Sequence, residues 1–142
     1  MKIKNKIIVT GGLGFIGSNL IDLLIKKNFF IINVDKVSYS SNFYNLKDYK
    51  KSKKYKFIKC NIADKNKISK ILKKEKPDAL FNLAAESHVD RSIDYPYPFI
   101  KNNILGVFNL LEAVKSYYKN NKKFKFIHIS TDEVYGDIIK GR

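Results

Sequence analysis

Residues 6 to 17, Lys-Ile-Ile-Val-Thr-Gly-Gly-Leu-Gly-Phe-Ile-Gly, constrain this chain more than any other stretch. Ile7, Ile8 and Val9 form a β-branched run, the composition of a strand buried on both faces. The run breaks into Gly11, Gly12, Gly14 and Gly17, and an apolar helical pattern runs from about Phe15 to Lys27. The glycines satisfy two spacings at once, Gly12-x-Gly14-x-x-Gly17 and Gly11-x-x-Gly14-x-x-Gly17. A strand that turns through glycines into a helix is the setting of a phosphate cradle. The first glycines permit a tight turn at positive φ, Gly14 lets backbone approach a pyrophosphate, and Gly17 lets the helix sit close to the strand. The helix N-terminus then aims unpaired N–H groups and the positive end of its dipole at the phosphates.

A glycine turn alone is weak evidence, and a second feature strengthens it. The next apolar run, Phe29 to Val34, ends in Asp35. An acid about twenty residues beyond the glycines, at a strand's carboxyl end, is placed to hydrogen-bond a ribose 2′-OH. Its charge repels a 2′-phosphate, which favours NAD over NADP. Lys36 next to it softens that preference without reversing it.

The 142 residues amount to one domain, or one piece of a larger one. The net charge of +15 raises the question of nucleic acid, but only Arg91 and Arg142 among 28 basic residues are arginine. Specific nucleic-acid contacts lean on arginine's planar fork. Lysine, asparagine and isoleucine are all abundant, as A/T-rich codons would make them, so a nucleic-acid partner is not expected. The lysine cluster from Lys47 to Lys59 reads as a solvated face, though positive potential can steer an anionic nucleotide. The single Cys60 excludes an internal disulfide, fits a reducing cytoplasm and reads as a small buried hydrophobe. No apolar stretch approaches the roughly twenty residues of a membrane span, and the N-terminal apolar run belongs to the first strand rather than to a signal peptide.

Further along, Val37 to Ser52 reads as a polar loop with one short helix near Asn45 to Lys51, and Tyr55 to Cys60 as a third strand. Asn66 to Lys76 has the three-and-four spacing of an amphipathic helix, stopped by Pro77. Ala79 to Leu83 is a fourth strand, and Ala84 to Asp94 a loop rich in functional side chains. A long helix follows Pro98 to about Lys119, and Phe124 to Ile129 is the fifth strand. Strands alternating with crossover segments specify an α/β fold with a doubly wound parallel sheet of the Rossmann type, ordered 3-2-1-4-5.

In such a sheet the ligand lies across the strands' carboxyl ends. The segments leaving those ends are the glycine turn, Asp35 to Ser38, Asn61-Ile62, Leu83 to Arg91, and Ser130 to Tyr135. In the last, Thr131, Asp132 and Glu133 are consecutive. Two carboxyl groups in a partly desolvated cleft repel each other, so one can stay protonated as general acid while the other acts as base. A helix N-cap explains Ser, Thr and Asp there equally well, and the spacing leaves both readings open. His128 is expected to be packed and hydrogen-bonded within its strand, and His88 to touch ligand or orient its loop. No metal-ligand constellation is present, since Cys60, His88 and His128 do not cluster in sequence.

Three stretches together carry a family resemblance: Gly11 to Asn19, Asn82 to Ile93 (Asn-Leu-Ala-Ala-Glu-Ser-His-Val-Asp-Arg-Ser-Ile) and His128 to Asp137 (His-Ile-Ser-Thr-Asp-Glu-Val-Tyr-Gly-Asp). They resemble the dTDP-glucose 4,6-dehydratases, which are extended short-chain dehydrogenase/reductases. Related sugar-nucleotide epimerases and decarboxylases usually lack the Thr-Asp-Glu triplet. The resemblance implies a lyase with tightly held NAD, acting on dTDP-glucose in deoxysugar synthesis. In such enzymes C4 of the glucose ring is oxidised, water is eliminated across C5 and C6, and the hydride returns at C6. It further implies that Asp132 protonates the departing C6 hydroxyl, Glu133 removes the C5 proton and Thr131 hydrogen-bonds the C4 oxygen. Phe15 and Ile16 match turn contacts on NAD, with Gly11, Gly14 and Gly17 around them. Asp35, Lys36, Val37 and Ser38 match contacts to the adenosine ribose. Leu83, Ala84, Ala85, Glu86 and Ser87 line the cofactor, Ser87 also standing near substrate. Asn61, beside Ile62, occupies a position usually held by an aspartate facing adenine, and Asn102 one where threonine is common.

The family also carries a catalytic Tyr-x-x-x-Lys on the helix after the fifth strand. Four pairs here have that spacing, Tyr49/Lys53, Tyr55/Lys59, Tyr97/Lys101 and Tyr118/Lys122, and all precede that strand. Residues 1–142 therefore read as an incomplete NAD-binding domain, an N-terminal fragment that lacks the substrate part and is expected to be inactive alone. The alternatives are another NAD-dependent sugar-nucleotide epimerase or decarboxylase, or a non-catalytic NAD-binding module. The full-length protein is expected to be a cytoplasmic homodimer joined through the long helix, whose apolar pattern is broader than one core-facing stripe requires.

Overall fold

A computed structural model describes residues 5–136 of the chain. Asp137, which ends the third motif, and Arg142 lie outside the described residues. The strands are β1 (Lys6–Thr10), β2 (Phe30–Asp35), β3 (Tyr55–Lys59), β4 (Ala79–Asn82) and β5 (Lys125–His128), all parallel to their neighbours and ordered β3-β2-β1-β4-β5. This is the order expected from the alternation of strands and crossovers. β1 lies at the centre, Ile8 paired with Ile32 on one side and Leu80 on the other.

Alternate residues of each strand feed two cores, one on each face of the sheet. On one face Ile7, Val9 and Ile31 pack with Leu13 and with Ile21, Leu24 and Ile25 of helix α1 (Phe15–Lys26). On the other, Ile8, Ile32 and Leu80 meet Ile68, Ile71 and Leu72 of α2 (Lys65–Glu75). Several of these side chains are sealed from solvent, each stabilising the fold by about 1.5–3 kcal/mol. α2 begins where Asp64 accepts a hydrogen bond from the Lys67 amide at 2.9 Å, and it stops at Lys76 in the left-handed region, directly before Pro77.

Two stretches depart from the expectation. The loop after β4 contains a helix of its own, α3 (Val89–Asp94). The long helix is composite: a turn α4 (Tyr97–Phe99), a π-helical segment over Ile100–Gly106, then α5 (Val107–Tyr118). The amide of Asn102 donates to the Pro98 carbonyl at 2.7 Å, taking the acceptor that an α-helix would give to the backbone four residues on. α5 itself presents two stripes. Leu110, Ala113 and Val114 close the core, while Phe108 and Leu111 face outward with Ile100 and Ile104.

A 3₁₀ segment over Phe43–Tyr49 occupies the position of the expected short helix. Tyr49 donates to Asp22 Oδ1 and so ties this segment to α1. Cys60 is a buried thiol, 3% exposed, and most lysines between Lys47 and Lys59 are solvated. The exception is Lys56, whose ammonium meets the buried Glu75 at 2.6 Å.

Candidate functional site

The glycine turn is built as a cradle, although its glycines serve different ends. Gly11 is the one at positive φ (+69°), and a Cβ there would stand 2.8 Å from the Ala84 backbone. Gly12 is needed for room: a Cβ on it would collide with the Asn33 side chain and with Ile21. At Gly17 a Cβ would run into the Gly11 carbonyl, so this glycine closes the turn on itself rather than on the strand. Gly14 is different, because a Cβ would meet only the Gly11 carbonyl, at 3.3 Å. Its outer side is open. Gly14 is also the N-cap of α1, and among the described residues no side chain caps that helix. Phe15 and Ile16 follow with their side chains in solvent, Phe15 81% exposed. Backbone donors at a helix start, an open glycine and a positive dipole end together fit a pyrophosphate.

Asp35 is 6% exposed. Its Oδ2 accepts from the Leu13 amide at 3.0 Å, and its Oδ1 from the Val37 amide at 2.8 Å and the Ser41 hydroxyl at 3.0 Å. The acid at the end of β2 thus braces the glycine turn as well as its own loop. Three donors leave a carboxylate with spare acceptor capacity for one more partner. Val37 sits at φ +62°, a left-handed conformation that is strained for a β-branched residue. Nothing in the sequence signals that strain. Ser38 donates its backbone N–H to Ser41 Oγ at 3.0 Å, closing the loop.

Beside this loop lies a pocket of about 510 Å³, lined by Lys36, Val37, Lys59, Cys60, Asn61 and Lys67. Asn61 Oδ1 accepts from the Ala63 amide at 2.9 Å. Ile62, by contrast, has its side chain in the core, against Gly106. Burial raises the pKa of the Cys60 thiol, with nearby Lys67 pulling the other way, so the thiol lines the pocket as a neutral group rather than as a nucleophile.

The segment after β4 is held from two sides. Asn103 brackets Glu86, its Oδ1 accepting from the Glu86 amide and its Nδ2 donating to the Glu86 carbonyl, both at 2.8 Å. The Glu86 carboxylate meets the Lys36 ammonium at 2.5 Å and accepts from Asn102 at 3.5 Å. Further out, the Arg91 guanidinium stacks 3.8 Å over the Tyr39 ring. Leu83 donates its amide to the Thr10 carbonyl at 3.1 Å and Ala84 abuts Gly11, whereas Ala85 and Ser87 face solvent. His88 is exposed at the start of α3 and makes no side-chain cap bond.

Thr131, Asp132 and Glu133 leave the carboxyl end of β5, at the same edge of the sheet as the glycine turn. All three are exposed, so no desolvated carboxyl pair forms among the described residues. Thr131 is the N-cap of a 3₁₀ turn over Asp132–Tyr135 yet makes no cap bond, and its hydroxyl lies 3.4 Å from Asp132 Oδ1. The triplet has the position of a cap without its hydrogen bond. His128 makes the hydrogen bond expected of it, but among the described residues it is not buried. It is exposed on the edge strand, stacked on Phe126, and Nδ1 accepts from the Asn82 amide at 2.9 Å.

Asn82 also accepts from the Thr10 hydroxyl at 2.5 Å, giving a polar chain across β1, β4 and β5 that is buried at Thr10 and Asn82. Thr10, Asn103 and the Tyr39–Arg91 stack were missed by the sequence reading. The only signal for the first was a polar residue closing an apolar strand.

Fold and site together define an α/β domain of the Rossmann type, with an uncapped glycine turn after β1 and a buried acid at the end of β2. The family model described as GDP-mannose 4,6 dehydratase matches residues 8–141, and the chain belongs to that family. It is 46% identical over 141 residues to the dTDP-glucose 4,6-dehydratase of Salmonella typhimurium, covering 94% of this chain and 38% of that protein. The crystal structure of dTDP-glucose 4,6-dehydratase from Bacillus anthracis in complex with NAD superposes with a TM-score of 0.81 at 35% identity, over 97% of this chain and 41% of the other. UDP-glucose 4-epimerase from Thermotoga maritima, with UDP-glucose, does so with a TM-score of 0.79 at 36% identity, over 96% and 41%. The chain spans about two fifths of the length of these relatives.

Proposed function

We propose that this chain is the NAD-holding N-terminal part of a dTDP-glucose 4,6-dehydratase. The observation that carries the reading is the Thr131-Asp132-Glu133 triplet at the carboxyl end of β5, on the edge of the sheet that holds the uncapped glycine turn. In this reading the N-terminus of α1 receives the pyrophosphate, and Asp35 takes the adenosine ribose through its remaining acceptor capacity. The 510 Å³ pocket by Asn61 holds the adenine. Bound NAD supplies a hydride acceptor and donor. Thr131 holds the C4 oxygen of the sugar, Asp132 delivers a proton to the departing C6 hydroxyl, and Glu133 takes the proton from C5. Water is lost across C5 and C6 by that pair of transfers. The exposure of both carboxyl groups in this chain means that substrate, or further polypeptide, supplies the desolvation their division of labour needs.

Product analysis tests the proposal. The intact protein from its native gene, given dTDP-glucose, is expected to release a 4-keto-6-deoxy sugar nucleotide. A C4 epimer or a decarboxylated sugar as product would replace the dehydratase reading. Asp132→Asn and Glu133→Gln should each lower turnover by roughly a hundredfold or more while NAD affinity stays within about twofold. Loss of NAD binding in both would show a structural role instead.

The same reading makes the full-length protein a cytoplasmic homodimer. Support for the dimer comes from the outward stripe Ile100, Ile104, Phe108 and Leu111, apolar and exposed. Among the described residues, no helix is long and apolar enough to cross a membrane.

A further inference from the structure

We infer that Glu86 helps to decide which nicotinamide dinucleotide the cleft accepts, by occupying Lys36, the cation next to Asp35 and placed to greet a 2′-phosphate. The inference rests on the reading that this cleft holds NAD. A basic residue near the acid that ends the second strand is the natural partner of a ribose 2′-phosphate. Lys36 stands there, next to Asp35, and lines the pocket together with Lys59 and Lys67. A pocket rimmed by three lysines would by itself favour a ligand with an extra phosphate. Asp35 opposes this, but its carboxylate is already shared among the Leu13 amide, the Val37 amide and the Ser41 hydroxyl.

Glu86 supplies the second opposing charge from the segment after β4. Its carboxylate lies 2.5 Å from the Lys36 ammonium, and the acid is the more buried partner, its side chain 8% exposed against 31% for the lysine. The Asn103 bracket holds the Glu86 backbone at both its N–H and its carbonyl, and Asn102 touches the same carboxylate oxygen. With its backbone pinned, Glu86 is held in the corner and is not free to follow Lys36 outward. Turning Lys36 to a phosphate would leave the largely buried Glu86 carboxylate without its counter-ion, an unfavourable exchange. The corner beside Asp35 therefore presents two acids and a committed Lys36 ammonium to the ribose, with Lys59 and Lys67 left to the rest of the pocket rim. A 2′-hydroxyl fits that corner and a 2′-phosphate does not.

The test is the ratio of NADP to NAD affinity, measured by titration calorimetry on the intact protein from its native gene. Glu86→Gln keeps the shape and removes the charge. It should shift the ratio toward NADP by roughly tenfold, the scale of one charge contact in partly screened surroundings. Adding Lys36→Met to that variant should cancel the gain, because the freed ammonium is what produces it. Glu86→Ala carries the same expectation should the glutamine fail to pack. A ratio unchanged in the neutral variants, or a gain that survives Lys36→Met, overturns the inference. A general loss of folding would weaken both dinucleotides alike and cannot mimic the shift. A native protein that binds NAD but shows no shift removes this role of Glu86 alone, whereas one that binds neither dinucleotide removes the NAD reading with it.

Discussion

Gly11 and Gly14 lie three residues apart in one turn, yet they answer to different forces. Gly11 is held by φ +69° and by the Ala84 backbone 2.8 Å from where a Cβ would sit, so Gly11→Ala strains the conformation and forces β1 away from the segment after β4. A loss of about 2 kcal/mol or more is expected, read by denaturant unfolding. Gly14→Ala meets only one carbonyl at 3.3 Å, on the open side of the turn. It should leave the unfolding midpoint nearly unchanged and weaken NAD binding by roughly tenfold, because the added methyl stands where the phosphates would approach. Equal effects of the two substitutions on stability would refute this division. The glycine spacing announced both residues without distinguishing them. The difference depends on Ala84, which is remote in sequence and adjacent only because β4 pairs with β1.

At the scale of elements, the 3₁₀ segment Phe43–Tyr49 is fastened to α1 through Tyr49 and Asp22. The hydrogen bond to Asp22, with burial adding to it, pushes the Tyr49 phenol up to about 12, and bonds from Lys26 and Tyr49 lower the Asp22 carboxyl. A phenol raised in the folded state stabilises it fully below the ordinary tyrosine value, and that contribution is lost as pH rises through about 12. A lowered carboxyl has the opposite window: its contribution is present above the ordinary aspartate value and is lost as pH falls through its folded-state value. Tyr49→Phe should therefore destabilise the protein near neutrality and flatten the decline in stability above about pH 10, measured as unfolding midpoint against pH. Parallel pH profiles for the two proteins would show that the tether carries nothing. The π-helical segment was not legible in the periodicity of Phe99 to Tyr117. Apolar spacing reports which face a helix buries, not whether its turns are α or π.

Across the whole molecule, one stripe of the composite helix is spent on the core and a second is left over. Phe108, 59% exposed, is at its centre. If the stripe joins two copies, Phe108→Asp in the intact protein should turn a dimer into a monomer in sedimentation, with helix content unchanged because the side chain makes no core contact. A native protein that sediments as a monomer would refute the dimer. The sequence by itself determined the strand–glycine–helix unit, the parallel order with β1 at the centre and the acid at the end of β2. These follow from local periodicity, turn chemistry and the handedness of crossovers, all properties of neighbouring residues. It also indicated which segments leave the strands' carboxyl ends. Tertiary structure alone decided what those segments do to one another: that Asp35 braces the glycine turn, that Glu86 engages Lys36, that Arg91 stacks on Tyr39, and that His128 lies exposed rather than packed. Each of these joins or exposes groups distant in the chain, through a register that only the assembled sheet sets.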